Sequence, residues 1–246
     1  MFKPFLYAIG FLTRLPVPHT LDMPSDREQG QSVLYYPLVG LLIGLILFAL
    51  ANLMSDAEPL LSAAVLITVW VVVTGGLHID GLADVADAWI GGQGDRERTL
   101  ALMKDPTCGP IAVATVVLLL MVKVAALTSL LLDQHGTVVL VVPILGRAAL
   151  VAGFIYIPYV RSGGLGAVLT ENMPQSEAKK TLVIATLFPF LFWGWDAVWV
   201  FAGCYLLFVF VRRSVLNRIH GLTGDVAGAL CELIEVTALL IAAFVF

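Results

Sequence analysis

Seven long apolar segments separated by short polar ones fix what this chain can become. They run at about Val33–Met54, Leu60–Leu77, Gly109–Leu132, Val138–Pro158, Leu182–Trp193, Ala197–Val211 and Val226–Phe246. A helix crosses a bilayer with about 20 apolar residues, within roughly 17 to 25, and most of the segments meet that length. The two around Trp193-Gly194-Trp195-Asp196 are short, and read as a tight helical hairpin or as one long broken helix. Backbone groups in lipid must be satisfied within the segment itself, which leaves helices for chains of this pattern. The expected fold is therefore all-α: a polytopic integral membrane helical bundle of about seven transmembrane helices. A soluble globular domain is excluded by 59% hydrophobic and 13% charged residues with a mean hydropathy of +0.94.

No repeat or low-complexity linker divides the chain, so residues 1–246 read as one membrane-embedded domain with a polar N-terminal segment over 1–31. Phe5–Phe11, between Lys3 and Arg14, is too short to span and reads as an interfacial anchor. The Arg14-Leu15-Pro16-Val17-Pro18 run stands where a cleaved signal peptide needs small residues, so no such peptide is expected. Cys108, Cys204 and Cys231 lack ligand spacing and read as small apolar fillers.

With seven spans the loops alternate sides, and the basic residues test that alternation. Lys3, Arg14, Arg27, Arg96, Arg98, Lys104, Arg161, Lys179, Lys180, Arg212, Arg213 and Arg218 are 12 of the 14 Lys and Arg, and all fall on one side. Only Lys123 and Arg147 lie within spans, so the asymmetry marks that side as cytoplasmic. The polar, glycine-punctuated segments crowd there too. A transporter places its polar residues near the midplane; this pattern instead favours an enzyme working at the inner surface.

The most informative of those segments is Gly75-Gly76-Leu77-His78-Ile79-Asp80-Gly81-Leu82-Ala83-Asp84-Val85-Ala86-Asp87. Asp80, Asp84 and Asp87 are spaced i, i+4, i+7, which puts them within about 60° of one another on a helix of roughly 100° per residue. Three like charges on one face call for a cation between them, and aspartate oxygens suit a divalent metal. His78, two residues before Asp80, can orient a carboxylate or handle a proton. Lys104 and Asp105 stand at a helix break before Pro106, where they can bring a cation and another oxygen ligand to a phosphate.

A second acidic stripe lies in the last helix, with Asp225 and Glu232 seven residues apart and Glu235 beyond. Thr223 or Asp225 can cap that helix. Glu232 and Glu235 must face a polar interior, with Arg147 the natural partner. Lys123 is expected to snorkel to the far interface, so that its replacement by Met should be mild. Arg14 and the Arg161-Ser162-Gly163-Gly164-Leu165-Gly166 loop can approach anionic groups through side chain and backbone. Together these features suggest aspartates holding one or two Mg²⁺ ions and basic residues holding a diphosphate.

These residues carry a resemblance. Phe11-Leu12-Thr13-Arg14-Leu15-Pro16, the His-x-Asp-Gly-Leu-Ala-Asp-x-x-Asp element of residues 78–87, Met103-Lys104-Asp105, Gly146-Arg147-Ala148 and Thr223-Gly224-Asp225 are similar, in order, to the cobalamin synthase (adenosylcobinamide-GDP ribazoletransferase) family. One departure is Pro106-Thr107-Cys108-Gly109-Pro110, where that family continues with a serine and a second glycine-containing turn. The resemblance implies that a ribose hydroxyl of alpha-ribazole, or of its 5'-phosphate, attacks the cobinamide-side phosphorus of adenosylcobinamide-GDP and releases GMP. It further implies Mg²⁺ dependence and a multi-pass place in a prokaryotic inner membrane, with the active site facing the cytoplasm.

On this reading Asp80, Asp84, Asp87 and His78 are the catalytic candidates, with Asp80, Asp84, Asp87 and Asp105 as metal ligands. Arg14, Lys104, Arg147, Gly164, Gly166, Thr223, Asp225 and Glu232 are the substrate-binding candidates. The expected partners are the two substrates and membrane lipid, not nucleic acid; a homo-oligomer is compatible with the sequence. Two other readings compete. A CDP-alcohol phosphotransferase-like enzyme also clusters aspartates at a membrane edge, but its Asp-Gly-x-x-Ala-Arg motif is broken here by Asp84 and the missing arginine. A cation-coupled transporter could use Asp80, Asp84, Glu232 and Arg147 as an ion path.

Overall fold

The computed structural model describes residues 2–18 and 24–246; residues 19–23 of the expected N-terminal segment lie outside the described residues. The described chain is helical, with one isolated parallel bridge, Tyr159 to Leu222, joining two loops.

Short helix α1 (Phe2–Leu12) packs on α2 (Asp26–Ser32) and α3 (Tyr36–Leu53). A capping box between Ser25 and Glu28 starts α2, satisfying its first amides reciprocally. Then come α4 (Pro59–Thr74), α5 (Leu77–Gly91), α6 (Arg96–Leu102), α7 (Pro110–Leu132) and α8 (Val138–Tyr156). The remainder is α9 (Leu165–Asn172), α10 (Gln175–Leu187), the single turn α11 (Phe190–Trp193), α12 (Ala197–Ile219) and α13 (Gly224–Val245). Among the described residues five stretches are long and apolar enough to cross a membrane: Asp26–Leu53, Pro110–Leu132, Val138–Tyr156, Gln175–Ile219 and Gly224–Val245. Helices α4 and α5 qualify together as a sixth, bent by 90°.

Two differences from the seven apolar segments have local causes. The second segment was expected to run on through Leu77, but α4 stops at Thr74 because Gly75 (φ +63°) and Gly76 (φ +69°) both enter the left-handed region. Two successive left-handed residues, cheap only for glycine, turn the chain abruptly and re-aim α5. The fifth and sixth segments lie in one apolar stretch, Gln175–Ile219, interrupted by a 3₁₀ turn at Gly194–Asp196. Gly194 at φ +53° supplies that interruption.

Helix α8 is the central post. Nearly every residue from Val138 to Phe154 is buried, with α3, α10 and α13 packed around it. By contrast Trp195, Trp199, Phe201, Tyr205, Leu206 and Phe210 of the α10–α12 stretch are exposed, the outward apolar surface expected of a helix that meets lipid. The protein is thus a multi-pass membrane bundle.

The polar segments expected to share one face do meet at one end of it. Arg218 of α12 donates through Nη2 to the Trp89 carbonyl at 2.7 Å and lies over the Trp89 ring, and Arg96 Nε donates to the Ile219 carbonyl at 3.2 Å. The amide of Leu222 donates to the Pro158 carbonyl at 2.8 Å. These bonds draw the ends of α5, α6, α8, α12 and α13 together around a single surface.

Candidate functional site

Helix α5 lies along α13, and glycine permits the closeness. A Cβ at Gly81 would sit 2.8 Å from the Asp225 carbonyl oxygen, and one at Gly228 would sit 3.2 Å from Cα of His78. Backbone meets backbone at this crossing. As a result Asp80 and Asp84 of α5 share one electrostatic neighbourhood with Asp225 of α13, which Asp87 and Arg161 also enter. Asp80 is exposed, and Asp84, Asp87, Arg161 and Asp225 are half-buried, so the cluster opens to the surface.

Arg161 is the cation of this group. Its Nη2 stands 2.8 Å from Asp225 Oδ2 in an ion pair whose side chains are partly exposed. Among the described residues its Nε has no hydrogen-bond partner. Tyr159, which no sequence signal singled out, stands beside the pair: a Cβ at Gly166 would fall 2.3 Å from its hydroxyl. Burial pushes the Tyr159 phenol above its ordinary pKa, against the pull of Arg161, so it stays a neutral hydrogen-bonding group. Gly164 (φ +125°) is exposed at the start of α9.

Asp87 has a different first duty. Its Oδ1 accepts the Ala112 amide at 2.9 Å and its Oδ2 accepts the Gly109 amide, so it caps the N-terminus of α7. About two of a carboxylate's roughly four lone-pair positions are thereby used. Asp105 is exposed and turned to its own loop, where Thr107 donates to its Oδ1 through the hydroxyl at 2.6 Å and the amide at 2.9 Å. Those two bonds hold the Asp105 carboxyl below the ordinary range. Thr107 supplies this hydroxyl two residues after Asp105. Lys104 is exposed beside it. Arg14 is exposed too, its amide bonded to the Val73 carbonyl at 2.7 Å and its side chain against Gly75 at the hinge before α5.

Four expected site residues are placed elsewhere. His78, Arg147 and Glu232 are 3%, 0% and 5% exposed and belong to an ion network sealed between α5, α7, α8 and α13. That burial places Arg147, Glu232 and His78, expected among the site residues, away from the open cluster. Arg147 does pair as its position inside a span required, through Nη1 with Glu235 Oε1. Thr223 is fully buried, caps α13 by accepting the Val226 amide at 3.2 Å, and leans on the Met103 sulfur. Its observed role is to shape the start of the helix.

Whether the open cluster fits a metal turns on its donors. Among the described residues, no three His, Cys, Asp or Glu side chains converge to hold an ion by themselves. A closed cage, as for zinc, is therefore not built in. Mg²⁺ is commonly bound through one or two carboxylates together with substrate phosphate oxygens and water, and Asp80 and Asp84 beside Asp225 match that sparse, all-oxygen pattern. The residues present fit a hard cation that arrives with a phosphorylated ligand.

Comparison with known proteins agrees with the motifs. No solved structure matches the chain. The adenosylcobinamide-GDP ribazoletransferase of Pseudomonas putida (strain W619) is 48% identical over 237 residues, covering 96% of this chain and 97% of its own. The proteins of the same name from Pseudomonas fluorescens (strain Pf-5) and Pseudomonas syringae pv. syringae (strain B728a) are 47% and 48% identical, with the same coverage. A family model described as cobalamin-5-phosphate synthase spans residues 4–243, which takes in the acidic run, the Arg161 loop and the start of α13 alike. With model and relatives both reaching from α1 into α13, the chain belongs to the cobalamin-5-phosphate synthase family.

Proposed function

We propose that this protein is an adenosylcobinamide-GDP ribazoletransferase that completes the nucleotide loop of cobalamin at the cytoplasmic face of a prokaryotic inner membrane, with Mg²⁺ as its metal. The observation that carries the reading is the open grouping of Asp80, Asp84 and Asp225 around Arg161 at one end of the bundle. The concentration of Lys and Arg in the same segments supports the cytoplasmic side.

In the proposed reaction a ribose hydroxyl of alpha-ribazole, or of its 5'-phosphate, attacks the cobinamide-side phosphorus. A new P–O bond forms to the ribose oxygen, the P–O–P bridge breaks, and GMP departs with the bridging electron pair. The hydroxyl proton passes to a carboxylate of the cluster. Asp80 and Asp84 would hold Mg²⁺, which would supply charge neutralisation for the diphosphate oxygens. Arg161 complements that charge from the α13 side, releasing part of its hold on Asp225 for a phosphate oxygen, because guanidinium donors match phosphate geometry. The Gly163-Gly164 turn, with φ of +67° and +125°, lets backbone approach the ligand where a Cβ could not. Tyr159 fixes the loop from below.

The test is direct. Purified protein in lipid nanodiscs, given Mg²⁺, adenosylcobinamide-GDP and alpha-ribazole or its 5'-phosphate, should release GMP and a completed corrinoid in equal amounts. A folded preparation that forms neither product with either acceptor would sink the assignment.

A further inference from the structure

A second concentration of charge lies away from the open surface, inside the bundle. Lys123 on α7 does not snorkel to the far interface as its sequence suggested: it is buried and donates through Nζ to Glu232 Oε2 at 2.6 Å and to Glu235 Oε2 at 2.7 Å, both on α13, so the expectation that its replacement by Met is mild is overturned. Arg147 on α8 pairs with the other oxygen of Glu235, and its Nη2 lies 3.5 Å from Nδ1 of His78 on α5. A guanidinium only donates, so the His78 ring accepts through Nδ1. The Lys123 ammonium also lies 4.9 Å from the centre of the Trp70 ring on α4. Two cations balance two carboxylates, and all five ionisable side chains are at most 5% exposed.

Such a group is a poor source of net stability, because removing ions from water offsets most of what their pairing returns. Apolar residues would hold four helices together as well. What the ionic arrangement adds is direction: each member accepts one neighbour geometry, whereas apolar packing tolerates sliding. The place where sliding matters is α5. That helix enters from two left-handed glycines, Gly75 and Gly76, and meets α13 across the side-chain-free crossing of Gly81 and Gly228. His78 lies in the first turn of α5, two residues before Asp80 and six before Asp84, and is the network's handle on it.

We propose that Lys123, Glu232, Glu235, Arg147 and His78 form an ionic clamp that sets the rotation and height of α5 against α13, with Lys123 as a positioning residue for the carboxylates that turn over substrate. The effect on turnover rests on the proposed ribazoletransferase reading; the effect on α5 does not. Lys123→Met leaves one carboxylate in excess within the bundle, whereas Lys123→Met with Glu232→Gln leaves the Arg147–Glu235 pair balanced and Lys123→Arg keeps the charge.

The test pairs hydrogen exchange with steady-state kinetics on the full chain in nanodiscs. Lys123→Met is expected to raise exchange of residues 77–91 about tenfold or more while residues 36–53 of α3 stay as in wild type, since local opening reports local restraint. Turnover should fall at least about tenfold with the KM for alpha-ribazole within about twofold, the split expected when alignment rather than binding is lost. The double variant and Lys123→Arg should each recover most of both properties. If Lys123→Met fails to insert, His78→Phe, which cuts the handle and leaves the four charges paired, carries the same expectation for residues 77–91. Unchanged exchange at 77–91 in both variants overturns the clamp, as does exchange raised equally throughout the chain. Should the wild type be inactive while exchange at 77–91 still responds, the clamp stands and the ribazoletransferase reading falls.

Discussion

Asp87 on α5 holds the first turn of α7, its Oδ1 accepting the Ala112 amide at 2.9 Å. The bond joins two residues 25 positions apart in sequence, on different helices, and it gives the third aspartate of the acidic run a structural duty that its neighbours lack. Losing a side-chain cap of a helix N-terminus typically costs about 0.5–2 kcal/mol. Asp87→Ala should therefore destabilise the solubilised protein by that order, read as a lower thermal midpoint, and Asp87→Asn should recover only part, because its amide oxygen can accept one of the two backbone N–H groups and its NH2 neither. Turnover should follow the midpoint. An Asp87→Asn protein of wild-type stability and no activity would instead show that the carboxylate's charge is used in the reaction.

Asp84 stands between Asp80, Asp87 and Asp225 with Arg161 as the balancing cation, and none of its oxygens closes a helix end. Asp84→Asn should keep expression, insertion and thermal midpoint while reducing turnover by about a hundredfold to a thousandfold, the scale of removing one electrostatic stabiliser of a transition state. Withdrawal of divalent ions with EDTA should stop the wild-type enzyme, and Mg²⁺ should restart it. Wild-type rates in Asp84→Asn would remove the carboxylate cluster from the mechanism.

The Arg161–Asp225 pair separates function from stability. Its side chains are 23% and 21% exposed, and pairs in contact with solvent contribute only about 0–1 kcal/mol to folding. Arg161→Ala should accordingly shift the thermal midpoint little. It should lower kcat/KM about a hundredfold if the guanidinium meets the diphosphate, with Arg161→Lys recovering only part because a point charge replaces a fork. Activity losses no larger than the stability change would confine Arg161 to a loop tether.

What the sequence disclosed and withheld follows from where each signal lives. Apolar length is written along the chain, so the membrane helices were legible, and the Lys and Arg bias correctly gathered the α5, α6, α9 and α12–α13 loops at one end. The i, i+4, i+7 spacing of Asp80, Asp84 and Asp87 survives as one helix face because it depends on local geometry alone. Inward direction is another matter. Helix α7 is apolar on every side, so nothing in its sequence says that Lys123 points at Glu232 and not toward the far interface. Glu232 and Glu235 required a cation, and Arg147 was legible as one; that Lys123 completes the set depends on the rotation of α7 against α13. Tyr159 was missed for a similar reason: its position is set by the bridge to Leu222, a pairing across 63 residues with no local signature.

The bend before α5 offers a last test, because its two glycines are unequal. Gly75 and Gly76 both have positive φ, and an L-residue there costs roughly 1–2 kcal/mol. A methyl on Gly76 meets nothing within 4 Å, whereas one on Gly75 would stand 2.2 Å from Nε of Arg14. Gly76→Ala should thus lose only the backbone preference, and Gly75→Ala should lose that and displace Arg14 as well. Adding Arg14→Ala to Gly75→Ala removes the collision and should bring its thermal midpoint back to that of Gly76→Ala. If Gly75→Ala is no less stable than Gly76→Ala, Arg14 does not pack on the hinge. If it is less stable and the second substitution brings no recovery, the loss comes from the left-handed turn itself, whose angle then sets the direction of α5 without help from the N-terminal segment.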